Sequence, residues 1–236
     1  MKVSADNLLF TCEHGGNDIP PPYRKLFADS TALLNSHRGL DTGALATARH
    51  LARFCQVKLC YSETSRLLID LNRSLHHPGL FSTITKPCPE KIKQGIISTY
   101  YLPYRKCVLD QLKQIIHKNK FVVHFSMHSF TPRLAGHVRN TDIGLLYDPK
   151  RLPEKKLCKK IKTEILQISD DWRIRYNYPY RGNADGLTTG LRKQFGSGKY
   201  LGIEIEINQK IFGNKEKTMQ LHQTLSKMLG NILSGR

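Results

Sequence analysis

The pair Glu13-His14 stands where a predicted strand ends, directly after the apolar residues 8–10 and before Gly15 and Gly16. Ligands of open α/β sheets bind beyond the carboxyl ends of strands, so an imidazole at this position is well placed to bind a metal ion. The two glycines tolerate backbone angles that other residues resist, which would let the chain turn away from His14. An ordinary polar strand end is the alternative, and other segments of the chain must supply partners to exclude it.

A second histidine-bearing segment covers residues 124–128. Side chains alternate along a strand, so His124, Ser126 and His128 are expected on one face. His128 is nearest to the strand end and is the better metal ligand. His124 is expected to be a buried, hydrogen-bonded histidine of the core.

Two carboxylates follow in the otherwise apolar strand at 202–209. Glu204 and Glu206 are two residues apart and therefore face the same side. Buried carboxylates without a partner are costly, so this pair requires a cation, a metal ion or a proton.

Basic side chains near these segments could bind an anion. Arg66 begins a predicted strand at 66–71, which is followed by Asn72-Arg73. The planar guanidinium of Arg73 can form two parallel charged hydrogen bonds with a carboxylate. An arginine paired with a structural aspartate such as Asp70 is the alternative interpretation.

Two more arginines lie in loops. Arg139 belongs to the polar segment before the predicted strand at 142–147. Arg181 belongs to the segment 176–194, which is rich in Gly, Pro, Asn and Arg. A long loop of this kind in a small domain is often functional, and it is a candidate wall or lid over a site.

Two histidines and a carboxylate, with one coordination position open, form the ligand set of a catalytic zinc ion. A further carboxylate near that ion could act as general base. The residues alone therefore predict a zinc hydrolase that acts on an anionic substrate, although no compact HExxH motif is present.

The composition limits the possible partners. The chain has 236 residues, 39% of them hydrophobic, so we expect a single domain over residues 1–236. The 37 lysines and arginines outnumber 19 aspartates and glutamates, which gives a formal net charge of +18 and favours anionic partners. The basic residues are scattered, and the densest run at 155–162 has the spacing of an exposed helix face. A small anion is therefore the expected partner, and nucleic acid is the minority interpretation.

The six cysteines contain no CxxC pair and no dense framework. This pattern predicts reduced thiols in a cytoplasmic protein rather than disulfides or a zinc ion held by cysteines. Residues 1–6 lack the apolar region of a signal peptide, and no apolar stretch is long enough to cross a bilayer. We therefore expect no membrane association.

Short β-rich runs alternate with longer helical patterns, which predicts an α/β fold with a mostly parallel sheet and helices on both faces. Strands are predicted at 7–12, 57–61, 66–71, 121–127, 142–147 and 200–207, and helices at 42–54, 89–118 with an interruption at Pro103, 154–168 and 216–233.

Six blocks of the sequence resemble, in the same order, the N-formylglutamate amidohydrolase family. They read CEHGGNDIP at 12–20, DTGA at 41–44, SRLLIDLNR at 65–73, HSFTP at 128–132, DIGLLY at 142–147 and EIEINQ at 204–209. The resemblance covers nearly the whole chain. It implies a central mixed sheet flanked by helices, similar to zinc carboxypeptidases and aspartoacylase-type deacylases. It also implies one zinc ion per chain and hydrolysis of an N-acyl amino acid, with conversion of N-formyl-L-glutamate to formate and glutamate as the type reaction.

Carried over by position, the resemblance makes His14 and His128 the two histidine ligands of zinc. In the wider pattern a glutamate three residues after the first histidine is the third ligand, but here that position is Asn17. Glu13 is our preferred third ligand, and Asp41 and Asn17 are the alternatives.

The resemblance also assigns residues to the substrate. Asn72 and Arg73 match the pair that holds the α-carboxylate, and Glu206 matches the general base. Glu204 is expected to pair with an arginine of the site wall. The cations expected to stabilise the oxyanion or to contact the substrate are Arg66, Arg139 and Arg181.

Two other functions are compatible with the sequence. The first is a zinc amidase or peptidase that acts on a different anionic amide. The second is a non-catalytic protein that keeps the fold and binds an anionic partner through its basic surface. The oligomeric state is not predicted.

Overall fold

A six-stranded sheet lies between two layers of helices in the computed structural model, which describes residues 2–235. The strands are β1 (Leu8–Cys12), β2 (Leu59–Tyr61), β3 (Val122–Phe130), β4 (Arg133–Leu134), β5 (His137–Val138), β6 (Ile143–Leu146), β7 (Ile174–Tyr176) and β8 (Tyr200–Asn208). The helices are α1 (Thr31–Leu34), α2 (Ala44–Cys55), α3 (Glu90–Ile96), α4 (Leu102–Asn119), α5 (Leu152–Ile168), α6 (Leu187–Gln194) and α7 (Lys215–Ser234).

The order of strands in the sheet is β2-β1-β3-β8-β6-β7, and β4 and β5 form a separate hairpin. Neighbouring strands of the large sheet are parallel except for β6 and β8, which are antiparallel. The predicted fold class, a mixed and mostly parallel sheet with helices on both faces, is therefore confirmed.

Alternation along the central strands separates two environments. Phe10, Phe125 and Ile203 point to the face covered by α2, α5 and α7 and join one large apolar cluster. The opposite face begins apolar, with Leu9 and Tyr200 packed beneath the layer of α3, α4 and α6. Farther along the same strands this face becomes polar, with Thr11, His124, Ser126, His128, Glu204 and Glu206.

Two local predictions were wrong. Residues 66–71 form turns rather than a strand, and Leu67, Leu68 and Ile69 are buried in the helix layer instead of the sheet. Part of the segment 176–194, predicted to be a loop, forms α6. That helix has only eight residues and includes Gly190, so its helical signal in the sequence is weak.

Pro103 lies in the first turn of α4, where its missing N–H does no harm. The helical chain before it consists of α3 and a π-helical turn at Ile97–Tyr101. The predicted interruption at Pro103 therefore corresponds to the boundary at which α4 begins.

His124 links three strands at the centre of the sheet, as the sequence predicted for a core histidine. Its Nε2 is hydrogen-bonded to the Thr11 hydroxyl of β1, and its Nδ1 to the Tyr200 hydroxyl of β8, each at 2.8 Å. The side chain is fully buried, and burial lowers the pKa of His124 to about 4. The folded protein therefore holds this imidazole neutral.

We expect this lowered pKa to make the protein less stable in acid. His124 has a pKa of about 6.5 in the unfolded chain. Below that pH the unfolded chain binds a proton at His124 that the folded protein does not bind, so the unfolding free energy decreases as the pH falls. Between pH 7 and about pH 5, wild type should lose about 2 kcal/mol of unfolding free energy relative to His124→Gln. Urea unfolding at both pH values measures the difference. His117→Gln, which alters an exposed histidine of α4, is the control and should behave like wild type; a pH-independent gap between His124→Gln and wild type would contradict the prediction.

Candidate active site

Three buried side chains converge at the carboxyl ends of β1 and β3. His14 follows β1, His128 lies near the end of β3, and Asp41 belongs to the loop before α2. Asp41 Oδ2 lies 3.3 Å from His14 Nδ1 and 2.9 Å from His128 Nδ1. One ligand atom from each of the three residues lies within 4.8 Å of the others. This arrangement suits a single metal ion.

Each imidazole is also held at its other nitrogen by a carboxylate. His14 Nε2 lies 2.7 Å from Asp70 Oδ1, and His128 Nε2 lies 3.0 Å from Glu13 Oε2. Carboxylates in this position fix the orientation of imidazoles that bind metals, and they make the metal-binding nitrogen more basic. With their Nε2 atoms held by Asp70 and Glu13, the two rings direct their Nδ1 atoms at Asp41.

The structure thus places the three proposed third ligands in different positions. Asp41 faces both Nδ1 atoms. Glu13 lies on the far side of the His128 ring, where its carboxylate accepts hydrogen bonds from the Tyr104 and Ser126 hydroxyls at 2.7 and 2.6 Å. Asn17 is outside the group and donates its side-chain N–H to Asn35.

The charges of this group compensate one another. Burial raises the pKa of Asp41, but His14, His128 and a neighbouring guanidinium outweigh burial and hold it well below the usual range. Burial likewise opposes ionisation of Glu13 and Asp70, yet their basic partners lower both pKa values. Burial lowers the pKa of His14 and His128, but the surrounding carboxylates raise both values overall. Carboxylates and imidazoles therefore stabilise each other's charged forms.

The glycines after His14 have a different role from the expected one. Neither Gly15 nor Gly16 has a positive φ. A Cβ atom on Gly15 would lie 2.8 Å from the Ser62 carbonyl oxygen, and one on Gly16 would lie 2.5 Å from that of Glu63. Close packing of two backbone segments, rather than unusual backbone angles, requires glycine here.

Glu206 lies opposite His128 in the register between β3 and β8. Its carboxyl is buried, and Oε2 has no hydrogen-bond partner among residues 2–235. Burial raises the pKa of Glu206 to about 8. Glu204 accepts a hydrogen bond from the Thr188 hydroxyl, and within the described part of the chain it forms no ion pair with an arginine.

Arg66 lies against the carboxylates. Its Nη2 donates to Asp70 Oδ2 at 2.7 Å, and its Nη1 lies 3.4 Å from Asp41 Oδ1. Burial opposes the charge of Arg66, but these two carboxylates raise its pKa above the usual value. Arg66 therefore balances the site and lines it at the same time.

Asn72 and Arg73 lie at the edge of the same cleft. The Asn72 side-chain oxygen accepts the N–H of Leu187 at 2.7 Å, so α6 orients this amide. Arg73 Nη1 donates to the Asp185 carbonyl at 2.9 Å, and its Nε is 3.9 Å from Asp70. The side chain of Arg73 remains one-third exposed, which leaves its guanidinium accessible from the cleft.

The segment 176–194 forms one wall of the cleft, as its composition suggested. The exposed Arg181 side chain lines the cleft and has no carboxylate partner in the described chain. Arg139 lies outside the lining, where its Nη1 donates to the Tyr180 hydroxyl at 3.2 Å and packs near the Phe130 ring. Arg139 is thus placed behind Tyr180 rather than beside the histidines.

The cleft has a volume of about 190 Å³. Of the residues predicted for the site, the structure gathers all in its lining except Glu13 and Arg139. The predicted residues that line it are His14, Arg66, Asn72, Arg73, His128, Arg181, Glu204 and Glu206.

Sequence reasoning assigned no role in the site to Tyr104, Ser126 and Arg192, and it named Asp70 only as a possible partner of an arginine, which the Arg66–Asp70 ion pair confirms. Asp70 lies in the block at 65–73 and Ser126 on the strand face shared by His124 and His128, so both positions carried a sequence signal. Tyr104 and Arg192 belong to helices whose pattern indicates only packing, and no sequence signal shows that Tyr104 contacts Glu13 or that Arg192 contacts the wall of the cleft.

Buried histidines and carboxylates beside a concave cleft are residues of the kinds that form the active site of many hydrolases. Comparison of the sequence with known protein families supports this class of enzyme. A family model described as N-formylglutamate amidohydrolase matches residues 6–212. The chain therefore belongs to the N-formylglutamate amidohydrolase family, and it is a hydrolase that acts on amides.

Solved structures show the same fold. A gene product of Agrobacterium tumefaciens superposes with a TM-score of 0.78 at 28% sequence identity, with 97% of this chain and 91% of that chain covered. N-formylglutamate amidohydrolase from Ralstonia eutropha superposes with a TM-score of 0.71 at 19% identity, with coverages of 98% and 93%. No curated protein matches the sequence significantly. Within residues 2–235, no helix has the length and apolar character needed to cross a membrane.

Arg192 anchors the wall of the cleft formed by residues 176–194. Its buried guanidinium donates to Glu154 of α5 at 3.0 Å, to the Gly202 carbonyl of β8 at 2.6 Å and to the Gly182 carbonyl of the wall. One side chain therefore connects α5, α6, β8 and the segment that carries Arg181.

We expect Arg192→Gln to destabilise the protein by about 3 kcal/mol, because it removes the cation that is hydrogen-bonded to the buried Glu154 carboxylate and leaves only Arg151, whose Nη1 is 3.8 Å away. Lys193→Gln removes a neighbouring exposed charge and should change stability by less than about 0.5 kcal/mol. Chemical unfolding of both variants measures the effect. Equal stability of the two variants would show that Arg192 does not hold this wall.

Proposed function

We propose that this chain is a zinc-dependent amidohydrolase that converts N-formyl-L-glutamate to formate and L-glutamate. One zinc ion would be held by His14, Asp41 and His128. The observation that supports this most is the convergence of both imidazole Nδ1 atoms on one oxygen of Asp41, at 3.3 and 2.9 Å.

The charge balance of the site also fits a divalent cation. Glu13, Asp41 and Asp70 carry three negative charges, which Arg66 and two protonated imidazoles balance. A divalent cation with two neutral imidazoles has the same total charge. Metal binding would therefore release the two protons of the imidazoles, while Glu13, Asp41, Asp70 and Arg66 would keep their charges.

Zinc, when bound, supplies Lewis acidity that lowers the pKa of water and polarises an amide carbonyl. The residues of the chain perform the proton transfers. Glu206 is the proposed general base, because its carboxylate lies beside His128 and Oε2 has no other partner among the described residues. Its pKa of about 8 would fall beside a cation, which favours the ionised form that a base needs. Glu206 would accept a proton from the attacking water and donate it to the leaving amine.

Arginines would bind and orient the substrate. Arg73, with Asn72 beside it, is placed to hold the α-carboxylate. Arg181, on the wall formed by residues 176–194, lines the same cleft, has no carboxylate partner in the described chain and is available for a second carboxylate, as glutamate carries. Arg66 lines the cleft next to Asp41 and is the proposed cation for the oxyanion. Arg139, which the sequence also suggested for this role, lies behind Tyr180, so we assign it to supporting the wall.

The choice of third metal ligand can be tested by zinc content. If Asp41 is a ligand and Glu13 only orients His128, Asp41→Ala should weaken zinc binding by more than about 100-fold. Glu13→Gln should weaken it by roughly 10- to 100-fold, the range for outer partners of metal ligands. Competition with a chelator of known affinity measures both values.

Asn17→Ala is the control for these variants and should bind zinc like wild type, because Asn17 lies outside the group. Circular dichroism confirms that each variant is folded. Strong zinc binding by Asp41→Ala together with its loss in Glu13→Gln would make Glu13 the ligand instead.

The proposed reaction can be tested with a panel of N-acyl amino acids and two forms of the enzyme. Zinc-loaded wild type should release formate from N-formyl-L-glutamate faster than from N-formyl-L-norvaline, which lacks the second carboxylate. Glu206→Gln should retain zinc and lose at least about 100-fold in kcat, as expected when a general base is removed.

Glu63→Gln, which changes an exposed glutamate, is the control and should have normal activity. If N-formyl-L-glutamate is inert and another anionic amide is cleaved, the family assignment stands but the proposed substrate is wrong. Near-normal activity of Glu206→Gln would remove Glu206 as the base.

A further inference from the structure

Two cysteines outside the cleft lie with their sulfur atoms in contact. Cys60 of β2 and Cys107 of α4 have an Sγ–Sγ distance of 3.7 Å, although 47 positions separate them in the chain. Within residues 2–235, the other four cysteines have no such sulfur–sulfur contact. The structure contains all six cysteines as free thiols, and these two form a pair.

The backbone segments that carry this pair are held together nearby. Tyr104 stands one helical turn before Cys107 on α4, and its hydroxyl lies 3.4 Å from the Cys60 carbonyl oxygen. The same hydroxyl donates to buried Glu13 at 2.7 Å. The two sulfurs are thus kept adjacent by contacts that do not involve the thiols.

The two sulfur atoms are close to the distance at which a disulfide bond forms. A disulfide has an S–S bond of about 2.05 Å, so the sulfurs must approach by about 1.7 Å. Strand β2 is at the edge of the sheet and pairs only with β1 among the described strands. An edge strand and the surface of a helix can move by this amount more readily than central strands.

The two thiols differ in accessibility. Cys107 is exposed, whereas Cys60 is buried with a relative exposure of 7%. Burial and, to a lesser extent, the neighbouring Cys107 thiol together raise the pKa of Cys60 to about 12. Cys107 is therefore the thiol that an oxidant in solution meets first, and Cys60 is the partner that can resolve the product.

We propose that Cys60 and Cys107 are a thiol–disulfide site, oxidised by a peroxide and restored by a dithiol reductant. The Cys107 thiolate attacks one peroxide oxygen, the O–O bond breaks, and Cys107 becomes a sulfenic acid while hydroxide leaves. The Cys60 sulfur then attacks the Cys107 sulfur, the S–O bond breaks, and water leaves with the Cys60 proton. The two sulfurs together lose two electrons, which the peroxide gains.

The disulfide would fasten α4 to β2 and close a loop of the intervening residues. A cross-link of this span stabilises a protein mainly by restricting its unfolded chain. Oxidation should therefore raise the Tm by about 5 °C or more, and a dithiol should reverse the rise.

The test is to treat the full-length protein with hydrogen peroxide, block free thiols and map the cysteine peptides by mass spectrometry. We expect an intramolecular peptide pair linked through Cys60 and Cys107 that disappears after reduction. Cys107→Ser, at an exposed position, should abolish both the linked pair and the rise in Tm. Cys88→Ser alters another accessible cysteine and should retain both.

Two results would overturn the proposal. One is a Cys107 that becomes sulfinic or sulfonic acid, or links two chains, while Cys60 stays available to the blocking reagent. The other is a linked pair that forms equally in protein unfolded by urea, which would show that the folded contact does not direct the reaction. Neither result depends on zinc or on the proposed substrate.

Discussion

The site depends on the need to compensate buried carboxylates. Glu13, Asp41 and Asp70 are all at most 5% exposed, and an unpaired charge at that depth would destabilise the fold by several kcal/mol. Each carboxylate is therefore matched by an imidazole, and two of them also by Arg66. The positions of the two histidines follow from this requirement, because both ends of each ring are held.

The architecture explains how distant segments meet this requirement. The parallel neighbours β1, β3 and β8 end at the same edge of the sheet, which brings Glu13-His14, His128 and Glu206 together. Asp41 enters from the loop before α2, and its backbone N–H bonds to the His14 carbonyl at 2.9 Å. The turns at 65–73 supply Asp70 from the opposite side. The irregular conformation of that segment allows Arg66 and Arg73 to line one cleft while Asp70 reaches His14; in a strand, Arg66 and Arg73 would point to opposite faces.

Much of this arrangement could be predicted from the sequence. Apolar runs located the central strands, and polar residues at their ends located His14, His128 and Glu206. The sequence could not show whether Glu13 binds the metal or only orients a histidine. The answer depends on which ring nitrogen of His128 faces Glu13 and which faces Asp41, and only the folded structure shows this. Asp41 is 27 residues from His14, so no short ligand motif contains it. The single-domain organisation and the cytoplasmic location stay predictions.

The structure also changes the interpretation of the positive charge. The net charge of +18 does not come mainly from the cleft, where Arg66 is balanced by Asp41 and Asp70. Much of the remaining excess lies on exposed surfaces such as α5, where Lys155, Lys156 and Lys159 face solvent. Exposed charges are screened within about 10 Å at 0.1 M salt, so they contribute little to selection inside a cleft. Under the proposed function, discrimination between anionic amides would therefore depend on the few guanidinium groups that line the cleft and are not fully neutralised there.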